Sequence, residues 1–180
     1  VTREEPCFYE RNAIDGEINN QGHGNFPYHS WAGGARNDLE YTLDFGREVE
    51  VEKLIFYLRA DFKHDHKGVP HDSYWKNIDV QFDDGEIVKG EFVLDNTDLN
   101  TENEKGQEIV LEKTKTTRKI KLLNFIQVTE ILGFAALTQI EVYGRYIKED
   151  FSKMEVRQAS NAKDVKHYTT ERLREEFHIA

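Results

Sequence analysis

Apolar residues at every second position set the limits on how this chain can fold. Leu39, Tyr41, Leu43 and Phe45 alternate with polar residues, and so do Ile78, Val80 and Phe82. A strand sends successive side chains to opposite faces, so a period of two predicts strands with one buried and one wet face. Val51–Leu58 is more continuously apolar, as a central strand would be. Ile87–Leu94, Ile109–Leu111, Ile120–Leu123 and Ala136–Tyr146 extend the set to about seven or eight short strands. Phe45-Gly46 reads as the end of the first strand. Asp84-Gly85 predicts a tight hairpin, because glycine accepts the positive φ such turns demand. Residues 60–75 and 95–106 are polar connections, and no stretch of this region carries helical periodicity. The pattern predicts an all-β, antiparallel sandwich or barrel.

The chain has 180 residues, enough for one domain and a tail, and the composition shifts after Tyr146. Residues 1–146 are the expected sandwich. Residues 147–180 are a polar linker ending in a short helix, with Thr170 as N-cap and Leu173 and Phe177 on one face. A body of that size can bury roughly two-thirds of its surface and needs no disulfide. None can form within the chain, since Cys7 is its one cysteine, which fits a reducing compartment. No apolar run approaches the ~20 residues of a membrane span. No secretory leader is visible, so the cytoplasm is the favoured location; a secreted protein whose leader precedes Val1 is the alternative. The formal net charge is −10, and because the charges of residues 147–180 cancel, the body carries all of it. Such a surface repels phosphate backbones and anionic lipid, so neither nucleic acid nor a membrane is an expected partner.

Two constellations have chemistry to offer. Asp15-Gly16 places a carboxylate beside a residue free to turn, and the Asn-, Gln- and Gly-rich segment after it can turn carbonyls inward. A hard cation such as Ca²⁺ wants six to eight oxygens, so distant side chains must close the cage. Gln139 and Glu141 share one face of the last strand, opposite Ile140 and Val142, and are the candidates. An ordinary Asp-Gly turn is the competing interpretation. The second constellation runs from Arg59 through Asp61, His64, Asp65 and His66 to His71, Tyr74 and Trp75. Arginine offers a fork of donors, and Trp and Tyr offer faces on which a sugar ring stacks. Tyr28, His29 and Trp31 would join if the fold brings them near, making a carbohydrate site of Tyr28, His29, Trp31, Arg59, Asp61, His64, His66 and Trp75. Against this, Trp31 and Trp75 taken singly read first as core or loop anchors, and Arg59 is suited to pairing with Asp61 or Asp38. His64, Asp65, His66 and His71 would suit a transition metal, though no third fixed ligand is apparent. No Gly-rich phosphate loop, no Gly-x-Ser-x-Gly elbow and no spaced carboxylate pair points to catalysis, and no catalytic residue is assigned.

Asn12-Ala13-Ile14-Asp15-Gly16, Ser30-Trp31, Leu43-Asp44-Phe45-Gly46, Lys53-Leu54-Ile55 and Ile140-Glu141-Val142-Tyr143-Gly144 together resemble the galactose-binding-like β-sandwich. That superfamily includes discoidin, the coagulation-factor C domains and family 32 carbohydrate-binding modules. The similarity covers about residues 6–146. It implies a jelly-roll-like sandwich, a structural Ca²⁺ under the first loop with Asp15 as a ligand, and a sugar site on loops at one end. The family often carries two acids before Val-Tyr-Gly, where this chain has Gln139 at the first. Met154–Phe177 resembles the opening residues of 5-dehydro-4-deoxyuronate isomerases, none of them catalytic. That implies a link to uronate metabolism and an enzyme domain in a longer protein. The expected function is a non-catalytic carbohydrate-binding module for an acidic or uronate-containing saccharide. The alternatives are an accessory or oligomerisation domain of a uronate-processing or polysaccharide-degrading enzyme, and a metalloenzyme built on the histidine-rich loop.

Overall fold

In a computed structural model the described residues are 5–18, 28–34, 36, 38–59, 74–93, 106–128 and 135–147. Five antiparallel strands run in chain order as β1 (Tyr41–Leu58), β2 (Trp75–Phe82), β3 (Ile87–Val88), β4 (Gln107–Gln127) and β5 (Leu137–Tyr146). They form a sheet in the order β3-β2-β4-β1-β5. Two short 3₁₀ turns, Pro6–Phe8 and Glu10–Ala13, precede them. The chain divides into the units Val1–Ile147 and Lys148–Ala180, and the expected C-terminal linker and helix lie outside the described residues.

Two of the expected breaks between strands are bends within strands. Phe45-Gly46 does not end the first strand. Gly46 sits at φ +71° inside β1, and the register with β4 moves there from Asp44–Lys119 to Val49–Thr117. The stretch between Leu111 and Ile120 likewise continues as strand, and the register moves again from Val51–Lys115 to Lys53–Val110. Such bulges bend and twist a ladder without ending it. The bend is large. If straight, Ile109–Ile120 would span roughly 36 Å. Yet Ile109 abuts Gly90, which exchanges backbone hydrogen bonds with Ile78 on β2, and the Phe56 and Phe92 rings lie 5.4 Å apart. The first half of β1 with the second half of β4 and β2 therefore face the second half of β1, the first half of β4 and β5. One bent sheet supplies both layers of the sandwich.

The core lies between the layers, and alternation decides who enters it. Val51, Leu54, Phe56, Leu58, Ile78, Val80, Ile120, Leu122, Phe125 and Leu137 are buried. Trp31 joins the edge of β5 through two backbone hydrogen bonds with Leu137, and its indole packs on Tyr41, Trp75 and Phe125 at 5.1, 5.4 and 5.4 Å. The Asp84-Gly85 hairpin forms as expected, although β3 is only two residues long.

Candidate functional site

The opening turn and the last strand meet. Gly16 N–H donates to Gln139 Oε1 at 3.2 Å across the length of the sequence. Asp15, next to it, accepts from Glu17 N–H at 2.9 Å and places its other oxygen 3.8 Å from His29 Nδ1. Gln139 and Glu141 share the outer face of β5, as their spacing predicts; Gln139 meets the Asp15-Gly16 turn, whereas Glu141 has other partners. Glu141 Oε2 accepts hydrogen bonds from Tyr57 at 3.3 Å and Tyr143 at 2.8 Å. Burial first, then the adjacent carboxylate, pushes the Tyr57 phenol up; the hydrogen bond to Glu141 does the same for Tyr143. Lys53 extends the row, with Nζ 4.8 Å from the Tyr143 ring centre and 2.9 Å from Glu108 Oε1. Tyr57, Tyr143 and Lys53 were not among the expected site residues; period two places Tyr143 on the Glu141 face, whereas Tyr57 stands opposite Gln139 only through the β1–β5 register.

These residues are a poor fit for calcium. The described residues hold no group of three His, Cys, Asp or Glu able to take a metal ion. Of the expected ligands, Asp15 and Gln139 bring one carboxylate and one amide oxygen to the joint, and an N–H already points at that oxygen. A hard divalent cation needs more oxygens and more negative charge.

The carbohydrate candidates divide three ways. Trp31 and Trp75 are corrected: they are 4% and 0% exposed, so neither offers a face to a sugar. Arg59 is 7% exposed, and its backbone N–H donates to Ala136 O. Tyr28 and His29 are half-buried, and His29 Nδ1 is buried without a hydrogen-bond partner. Asp61, His64 and His66, with Asp65 and His71, lie outside the described residues.

The ends of these segments nevertheless gather in one place. Leu137 pairs with Leu58 on one side and Trp31 on the other. Arg59 bonds Ala136, and Val128 N–H donates to Tyr74 O at 3.0 Å. The points where chain leaves the sandwich at Arg59, Tyr74, Val128, Ala135 and Ser30 thus share one end. A groove of ≈ 750 Å³ lies elsewhere, between Glu86–Glu91 and Glu108–Lys115, and no residue of the expected site lines it.

No protein-family model matches the sequence, and no curated protein matches it significantly. Solved structures do. The family 32 carbohydrate-binding module of C. perfringens NanJ, in complex with galactose, has a TM-score of 0.52 at 15% identity, over 77% of this chain and 86% of that one. The lectin domain of lectinolysin, complexed with Lewis B antigen, gives 0.51 at 17%, over 78% and 87%. A mutant of chitosan-binding module 1 from the chitosanase/glucanase of Paenibacillus sp. IK-5 gives 0.51 at 16%, over 78% and 88%. At such identity the likeness speaks to architecture. This chain therefore has the same β-sandwich fold as these three domains.

Proposed function

We propose that the sandwich is a non-catalytic carbohydrate-binding module whose ligand sits at the end where the chain leaves the strands beside Ser30, Arg59, Tyr74, Val128 and Ala135. The observation that carries this is the gathering of those exits by the Trp31–Leu137, Arg59–Ala136 and Val128–Tyr74 hydrogen bonds, with the Trp31–Trp75 ring contact at 5.4 Å joining the two groups. Loops on a rigid scaffold are where binding residues concentrate. The named ligands of the neighbouring structures, galactose and Lewis B antigen, and the chitosan-binding name of the third, support a saccharide. The finer proposal, an acidic or uronate-containing saccharide, rests on the likeness of Met154–Phe177 to the start of uronate isomerases. Arg59, being buried, does not support it. The single cysteine supports a reducing, cytoplasmic setting.

Isothermal titration against galactose, chito-oligosaccharides and oligouronates tests the proposal. Saturable heat with one class is expected, lost on Tyr28→Ala with the fold intact. Silence across all three classes in a folded sample overturns it and favours an accessory or oligomerisation role. Light scattering would then find a stable oligomer.

A further inference from the structure

The joint between Asp15-Gly16 and Gln139 stands where the resemblance places a divalent cation, and among the described residues Gln139 Oε1 and Asp15 Oδ1 already accept backbone N–H bonds there. We infer that a neutral hydrogen bond, Gly16 N–H to Gln139 Oε1, fastens the opening turn to the last strand in place of a cation, and that the sandwich folds without calcium.

Three features of the joint support this. The bond links residues 123 apart in sequence, the long-range closure a shared cation would otherwise supply. Gln139 is 6% exposed, so its amide is buried at the junction rather than waiting in solvent. A backbone N–H directs its positive end at that oxygen, where a cation would have to approach. Charge counts the same way. Calcium affinity rises with the number of carboxylates, and of the three expected ligands only Asp15 brings one to the joint, Glu141 being held by Tyr57 and Tyr143. Its oxygens already face Glu17 N–H and His29 Nδ1.

The other acid cannot be recruited without loss. Turning Glu141 toward Asp15 would break its bonds to Tyr57 and Tyr143. Tyr57 is only 7% exposed, so its hydroxyl would lose its carboxylate at a buried site. An acid at position 139 would be a different case. It would bury a second carboxylate beside the Asp15 turn, an arrangement that stands only with a compensating positive charge. The identity of one residue, amide or acid, thus decides whether this joint needs a metal. The inference does not depend on the carbohydrate reading, since its readout is stability without any sugar present.

The test compares melting temperatures of the full chain in EDTA and in millimolar calcium. The wild type is expected to melt within about 1 °C in both, and to give no saturable heat on titration with calcium. Gln139→Glu is expected to melt several degrees lower in EDTA and to recover most of that loss in calcium. A wild type that gains more than about 3 °C from calcium overturns the inference, as does a Gln139→Glu variant that folds but ignores calcium. If Gln139→Glu does not fold, Gln139→Leu serves. Loss of one net hydrogen bond in a domain of this size reads as about 2–4 °C, the same with and without calcium. A Gln139→Leu variant that melts like the wild type also overturns it.

Discussion

Trp31 and Trp75 show how one residue's surroundings in sequence can misdirect. Both stand beside polar, histidine-rich stretches, where an exposed stacking ring and a core anchor have the same local pattern. What separates them is distant: Leu137 fixes the Trp31 backbone, and Phe125 lies 4.9 Å from the Trp75 ring. Truncating Trp75 to alanine opens a large core cavity and is expected to cost roughly 3–5 kcal/mol by urea denaturation, with folding itself as the casualty. Loss of sugar binding at unchanged stability would mean the indole faces a ligand after all. Tyr41 makes a second case. Burial, with Glu10 nearby, pushes its phenol up to about 12, and its hydroxyl donates to Glu10 O at 3.1 Å. A group whose folded value is raised holds its proton more tightly in the native state. Its contribution is complete below the unfolded value of about 10 and is lost as pH climbs to about 12. Stability is therefore expected to fall between about pH 10 and about pH 12, and less steeply in Tyr41→Phe. Equal slopes in the two proteins would assign the alkaline loss to other groups.

At the scale of elements, period-two patterning located the strands and their buried faces, because alternation is local. It did not locate their ends. Phe45-Gly46 looked like a terminus since glycine weakens a strand, but only partners from β4 and β5 decide whether it stops the strand or bends it. The Asp15–Gln139 meeting was legible from the order of motifs. Glu141's true partners were not, because one comes from the neighbouring β1. Two strand glycines permit a quantitative contrast. Gly46 has φ +71° and open space about its missing Cβ, so Gly46→Ala is expected to cost about 1–2 kcal/mol for the left-handed backbone alone. At Gly144 a Cβ would collide with the Glu50 carbonyl oxygen of the paired strand, and backbone cannot swing aside as a side chain can. Gly144→Ala is expected to cost more than about 4 kcal/mol or to abolish folding. Equal melting curves for the two variants would mean that β1 and β5 do not approach as closely as described.

For the whole molecule the net charge of −10 sets a condition on any acidic ligand. An anionic oligouronate approaches against a repulsive field, and that field is screened within about 10 Å at about 0.1 M salt but reaches about 30 Å at about 0.01 M. A neutral saccharide feels none of it. Titrations from about 0.01 M to about 0.5 M salt thus separate the two ligand classes by sign. Binding of a neutral sugar is expected to stay flat. Binding of an oligouronate, if governed by the overall charge, is expected to strengthen as salt rises, the reverse of the usual behaviour of ion-paired complexes. An oligouronate that instead weakens with salt would require a local cationic cradle strong enough to overrule the rest of the surface. Arg59 is buried, so that cradle would have to come from the sequence between Arg59 and Tyr74, where Lys63 and Lys67 would have to outweigh Asp61, Asp65 and Asp72. Replacing Lys63 and Lys67 with alanine should then remove the salt dependence together with the affinity.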